Sequence, residues 1–293
     1  METRILDGKA IAAEVRGEIA REAAAFEASA GRKAGLGVVL VGDHPASRSY
    51  VTGKEKACAE CGLASKELAL PGTAGLEEVL AAVESLNRDA AVDGILVQLP
   101  LPDPRMERAV IEAIDPDKDV DGFHPVNVGR LVAGLEGPKP CTPAGIVKIL
   151  RRSGIPTAGA EVAILGRSGI VGRPLSVMLS QKGLDATVTV CHTKTRDAGE
   201  HTRRADIVVV AAGRPGTLTA DMVREGATVI DVGVNRIPDA TRKSGFRLAG
   251  DADFEGLLGK AGAITPVPGG VGPMTITMLL RNTLDAARRR AGI

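Results

Sequence analysis

Short apolar runs alternate with stretches of helical periodicity, first over residues 35–102 and again from residue 161. In the first series GLGVVLVGD (35–43), SKELALPG (65–72) and DGILVQLPLP (93–102) read as strands, with helical patterns near 46–62 and 76–90 between them. In the second, EVAILG, ATVTVCH, ADIVVVAAG and ATVIDVGV are the strands; the turn-rich TPVPGGVGP (265–273) closes the series, and a last helix is predicted over 274–290. Such alternation predicts parallel sheets covered by helices, the α/β class. Two series in a chain of 293 residues predict two domains. The Pro- and Gly-rich GLEGPKPCTPAG (134–145) is the linker candidate, with Thr142 as an N-cap and Pro143 at the first helical position.

Composition narrows what such a fold does. With 37 basic and 36 acidic residues, the chain has no electrostatic case for nucleic acid or an anionic membrane. One Tyr, four Phe and no Trp leave little for base stacking. The amino terminus is too charged for a secretory signal, and no apolar run approaches the ~18 residues of a membrane span. It reads instead as an amphipathic helix with Ile11, Val15, Ile19 and Phe26 on one stripe. Cys58 and Cys61 form C-x-x-C without a second ligand pair, and Cys141 and Cys191 stand alone. Ordinary thiols in a cytoplasmic protein are expected, with no metal.

The stretch VAILGRSGIVGRPLSVML is a strand, a glycine turn and a helix. Gly166, Gly169 and Gly172 stand three residues apart, a relative of G-x-G-x-x-G. Glycines permit a sharp turn and close approach of phosphate to backbone, and the helix start adds aligned N–H donors. This turn predicts dinucleotide binding. An NAD site usually ends its next strand in Asp or Glu. Here the strand ends in His192, Thr193, Lys194 and Thr195, and Arg167 and Arg173 add positive charge at the turn. A carboxylate would repel a 2′-phosphate, whereas hydroxyls and cations favour one, so NADP is predicted over NAD.

The first series carries other chemistry. If 46–62 is helical, Tyr50, the only tyrosine, lies one turn before Lys54 on the same face. The pair directly follows a strand, where α/β folds build sites, although a surface Tyr–Lys contact has the same spacing. Gln98 interrupts the apolar run of the third strand and needs partners if buried. In DPDKDVDGFHPVN, Asp117, Asp119, Asp121 and Gly122 imitate the start of an EF-hand loop. Position 12 would be Val128 rather than Glu, so a carboxylate presented at a cleft is expected instead of calcium.

Taken together these motifs resemble one family, the bifunctional methylenetetrahydrofolate dehydrogenase/methenyltetrahydrofolate cyclohydrolases. The matching stretches run in order over nearly the whole chain: VGDHPASRSYVTGKEKACAECG, DGILVQLPLP, DKDVDGFHPVNVGRL, PCTPAGIVKIL, GRSGIVGRP, ADIVVVAAGRPG, VIDVGVNR and TPVPGGVGPMT. The resemblance implies two α/β domains flanking a cleft. Residues 1–140 with the returning helix 274–293 would form the folate-binding catalytic domain, and residues 141–273 a Rossmann-type NADP-binding domain. It implies a cytoplasmic homodimer in one-carbon metabolism, supplying purine, methionine and histidine synthesis. It also implies Lys54 as the principal catalytic residue, with Tyr50, Gln98 and Asp121 in the folate pocket. Ser47 and the turn Pro268–Gly269–Gly270 would touch substrate. Gly166, Arg167, Ser168, Gly172, Arg173, Thr193 and Val234 would contact the cofactor.

The chemistry fits that assignment. Hydride transfer asks the protein mainly for alignment. Hydrolysis needs a water activated beside a cationic substrate, where a protonated lysine suffers like-charge repulsion. Neutrality at pH 7 requires lowering a lysine from about 10.4 by roughly three units, about 4 kcal/mol. Gln98 would hold the amine without adding charge, and Tyr50 would shield and orient it. Three other readings keep parts of the pattern: a dehydrogenase without hydrolase activity, a non-catalytic NADP-binding regulator, and a Rossmann dehydrogenase for another small substrate.

Overall fold

A computed structural model describes residues 2–242 and 245–293. The chain begins with β1 (Arg4–Ile5), α1 (Gly8–Ala30), β2 (Gly35–Val41), α2 (Pro45–Glu60), β3 (Ala64–Leu70), α3 (Leu76–Arg88) and β4 (Gly94–Val97). Then come α4 (Glu107–Glu112), α5 (Pro125–Ala133), α6 (Cys141–Arg152), β5 (Glu161–Leu165), α7 (Gly172–Ser180), β6 (Thr187–Cys191), α8 (Ala198–Arg204) and β7 (Ile207–Val210). The last elements are β8 (Thr228–Asp231), β9 (Asn235–Pro238), β10 (Phe246–Ala249), α9 (Phe254–Leu257), β11 (Ala263–Ile264) and α10 (Val271–Ala291). They form two compact units, one of Ala13–Cys141 with Ile276–Ile293, the other of Met1–Ala12 with Thr142–Thr275. Among the described residues no helix is long and apolar enough to cross a membrane.

In the first of these units β2 lies between β3 and β4, all parallel. All seven positions of GLGVVLV in β2 are buried, as a strand covered on both faces requires. Val39, Val83, Leu86, Ile95 and Val110 belong to its core. The amphipathic stripe of α1 is buried at Val15, Ile19 and Phe26. Residues of α10 return to the same unit: Arg281 and Arg288 bind Glu22, and Asn282 Nδ2 donates to the carbonyls of Val120 (2.8 Å) and Lys139 (2.9 Å). Asp93, fully buried, receives Arg32 through both oxygens, Arg290, and the Gly35 N–H. The third predicted strand is shorter than its apolar run. It ends at Val97, because Pro100 and Pro102 bring no N–H to a ladder, so Gln98 stands just past its end.

The second unit contains a six-stranded parallel sheet in the order β1-β11-β8-β7-β5-β6, with β9 and β10 as a separate antiparallel pair. From β5 the chain passes to β6 on one side and then to β7 on the other, which makes the carboxyl ends of these strands a topological switch point. Two features differ from the sequence reading. Residues 2–12 sit in this unit, not with 13–140, because β1 pairs with β11 and Lys9 N–H donates to Gly269 O at 3.1 Å. Also, α6 begins at Cys141, so Thr142 lies inside the helix. Its hydroxyl meets that of Thr275 at 3.0 Å instead of capping.

Candidate active site and nucleotide cleft

Within the 13–141 unit, α2 carries Ser47, Tyr50 and Lys54 at spacings that keep them on one side. Lys54 is half-buried, and its Nζ donates to Gln98 Oε1 at 2.9 Å. The Gln98 amide in turn donates to Leu99 O at 2.7 Å, which fixes which end faces the lysine. Burial pushes the Lys54 ammonium below its ordinary pKa; the charges of Asp121, Cys141 and Cys58 oppose this without reversing it. Asp121 moves the other way, up to about 7: burial dominates, the Lys54 cation opposes it, and Asp119 adds to it. The structure therefore brings Lys54, Gln98 and Asp121 into mutual influence. Tyr50 is 52% exposed, and its hydroxyl has no hydrogen-bond partner among the described residues.

The loop presenting Asp121 is built by its neighbours. Asp119 is buried, and its carboxylate accepts the N–H groups of Gly122 (3.0 Å) and His124 (2.9 Å) and the Asn127 amide (2.9 Å). Gly122 takes φ 72°, and a Cβ there would stand 2.7 Å from the Lys139 carbonyl carbon, so the turn requires glycine. The EF-hand-like acids thus have local tasks: Asp119 ties this turn, and Asp117 pairs with Arg130. Among the described residues no cluster of three or more His, Cys, Asp or Glu could hold a metal. Cys58 and Cys61 are buried thiols; burial raises both, Cys58 to about 12.

In the 142–275 unit, the turn between β5 and α7 is the predicted glycine turn. Gly166 takes φ 131°, and a Cβ there would lie 2.2 Å from Ala211 O. A Cβ on Gly172 would lie 2.0 Å from Gly166 O, whereas Gly169 faces open space. Two of the three glycines therefore answer to close backbone approach. The Ser168 hydroxyl accepts from Val171 N–H at 3.1 Å, and Arg173 Nε donates to Arg167 O at 3.1 Å.

Beside this turn lies a cleft of about 630 Å³. Gly166, Arg167, Ser168 and Thr193 line it, as do His192, Thr195, Ala211, Ala212, Arg214 and Thr217. No carboxylate is among its lining residues. Of the other residues assigned to the cofactor, Gly172 and Arg173 brace the turn from outside the lining, and Val234 is 53% exposed and not among the lining residues. A glycine turn at a switch point, a helix start, and a lining that combines Arg167 with hydroxyls fit a phosphorylated dinucleotide. Sequence reasoning missed Arg214 and Thr217, which reach the cleft through the loop after β7. The only local signal was the glycine-rich AAGRPG closing that strand. Pro268–Gly270 also belongs to this unit; Gly269 takes φ 110°, and Gly8 allows α1 to start against Gly270 O.

Residues 6–121 match the family model for the tetrahydrofolate dehydrogenase/cyclohydrolase catalytic domain, and residues 140–291 match its NAD(P)-binding domain. The bifunctional protein FolD of Syntrophus aciditrophicus is 56% identical over 291 residues, covering 99% of each chain. Among solved structures, the bifunctional FolD methylenetetrahydrofolate dehydrogenase/cyclohydrolase of Campylobacter jejuni is 48% identical at a TM-score of 0.92, covering 98% of this chain and 99% of its own. The Trypanosoma brucei methylenetetrahydrofolate dehydrogenase-cyclohydrolase, solved with NADP and an inhibitor, is 39% identical at a TM-score of 0.94 with full coverage of both chains. The catalytic-domain and nucleotide-domain matches together with these whole-chain likenesses lead to one conclusion: the chain belongs to the tetrahydrofolate dehydrogenase/cyclohydrolase family.

Proposed function

We propose that the chain oxidises 5,10-methylenetetrahydrofolate with NADP and then hydrolyses 5,10-methenyltetrahydrofolate to 10-formyltetrahydrofolate. The observation that carries this reading is a half-buried lysine, held by a neutral amide oxygen at 2.9 Å and driven toward its uncharged form by burial. Bound NADP supplies the hydride acceptor for the first reaction. The protein's task there is alignment, with Arg167, Ser168 and Thr193 holding the dinucleotide by its phosphates and ribose. Gly166 gives room for the backbone to approach them.

In hydrolysis Lys54 acts as the base on water. A cationic substrate beside the amine disfavours protonation further, so burial and substrate charge both push the amine toward the neutral form a base needs. Gln98 directs the amine lone pair by accepting one of its N–H groups, and brings no negative charge that would restore the ammonium. Tyr50, exposed before substrate arrives, offers its ring to the folate, and Ser47 a hydroxyl. Asp121 accepts N–H groups of the pterin, and Pro268–Gly270 closes on the substrate. Through its 10-formyl product the enzyme serves purine, methionine and histidine synthesis, working as a cytoplasmic homodimer.

The test is a single assay with 5,10-methylenetetrahydrofolate and NADP, following reduced cofactor and methenyl decay at separate wavelengths. Both signals are expected. Accumulating methenyl without enzyme-dependent decay would leave only a dehydrogenase, and no reduced cofactor would remove the proposal.

A further inference from the structure

Two buried acids that the proposed reactions do not use stand behind the nucleotide cleft. Asp251 is fully buried and Asp231 is 3% exposed. Asp251 Oδ2 accepts the N–H groups of Ala212 and Gly213, both at 2.7 Å, while Oδ1 accepts the Asn235 amide at 2.8 Å. Asp231 holds Asp251 in turn. Its Oδ1 accepts the N–H groups of Asp251 (2.9 Å) and Gly233 (3.0 Å), and its Oδ2 that of Ala252 (2.9 Å). Space for the pair is made by glycine: a Cβ at Gly233 would lie 2.2 Å from Asp251 Oδ1.

Burying two like charges together is costly, and neither acid has an ion-pair partner among the described residues. Burial and the neighbouring Asp251 charge raise Asp231 to about 6, against the pull of its three N–H donors. Three N–H donors converge on Asp251, and only a carboxylate presents acceptors on both sides without adding a donor of its own. The stronger acceptor is spent on two successive N–H groups of an otherwise exposed turn. Those two residues lead directly into Arg214, Gly213 takes φ 68°, and Ala211, Ala212 and Arg214 all line the cleft.

We propose that Asp251 is a positioning residue for dinucleotide binding: its carboxylate, seated by Asp231, sets the Ala211–Arg214 wall of the cleft against the ligand. This inference rests on the reading that the cleft takes NADP. The wall is common to phosphorylated and unphosphorylated dinucleotides, so disturbing it lowers affinity for both. An asparagine at 251 keeps the shape but leaves one weaker acceptor where two carboxylate oxygens served three donors.

The experiment titrates NADP and NAD into the full-length wild type, Asp251→Asn and Gly213→Ala. It also measures hydrolysis of supplied methenyltetrahydrofolate without any dinucleotide. Asp251→Asn is expected to raise both dissociation constants at least tenfold, with their ratio and the hydrolysis rate each within twofold of wild type. Gly213→Ala opposes a left-handed turn at an exposed site and is expected to raise both constants at least threefold, whether or not the asparagine variant folds. Unchanged dissociation constants in the folded variants overturn the inference, and so does a parallel loss of hydrolysis, which would make Asp251 a support of the whole fold. Wild-type protein that bound neither dinucleotide would remove the functional reading itself; normal wild-type binding with unaffected variants removes the inference alone.

Discussion

Replacing Gln98 by glutamate tests whether Lys54 works as an uncharged base. The exchange keeps size and places a carboxylate where an amide oxygen now sits 2.9 Å from the amine. At an effective dielectric of about 20, opposite charges at that separation attract by roughly 6 kcal/mol. Solvent screening of half-buried groups leaves about 3 kcal/mol of this, a factor of about 100 in an equilibrium constant. Lys54, which burial now holds low, would be drawn back toward its ordinary value, favouring the ammonium. Hydrolysis of supplied methenyltetrahydrofolate at pH 7 should then fall about 100-fold, with its rising limb displaced toward alkali. Gln98→Met removes the acceptor without adding charge, so it lowers the rate without that displacement. The assay is methenyl decay between about pH 6 and 9, corrected for the uncatalysed reaction. Identical limbs for Gln98→Glu, Gln98→Met and wild type would refute an uncharged Lys54 as the base.

Lys54→Met should cost hydrolysis ~10²–10⁴-fold while NADP titrations stay at the wild-type value; undiminished hydrolysis would remove Lys54 from the mechanism. Asp121→Ala should raise the KM for folate and leave cofactor affinity alone, and the reverse pattern would contradict the proposed role at the pterin. Glu22 is a structural case: the Arg281 contact holds its carboxyl down at about 2, with burial opposing and Arg288 assisting. Its folded pKa lies below the unfolded one, so the stabilisation is complete above about pH 4.5 and is lost as pH falls toward 2. With a side chain 35% exposed, solvent screening leaves about 1–2 kcal/mol. Glu22→Gln should therefore melt a few degrees lower at pH 7, and thermal scans should show the gap closing as pH falls below 4.5.

Much of the candidate site was legible because its logic is local. Tyr50 and Lys54 lie one helical turn apart whatever the rest of the chain does, provided that segment is helical. Gly166, Arg167 and Ser168 follow a strand directly, so their place at its carboxyl end follows from periodicity. The end of β6 could be read for charge in the same way, and the cleft indeed has no carboxylate among its lining residues. Gln98 was recognisable as a polar residue in an apolar run. Its position past the strand end depended on prolines two and four residues later.

Composition and pattern by themselves determined the α/β class, the double series of strands, the glycine turn, and the helix face bearing Tyr50 and Lys54, since each depends on neighbours a few residues apart. Tertiary structure alone decided the rest. The two-residue β1 has too little sequence to signal its pairing with β11, some 260 residues away, yet that pairing places residues 2–12 in the second unit. The Gln98 oxygen meets Lys54 across 44 positions, and the Asp251 carboxylate reaches Ala212 N–H across 39. Contacts of that separation arise where sheet order brings strand ends together, and periodicity within one segment carries no record of which strand lies beside it.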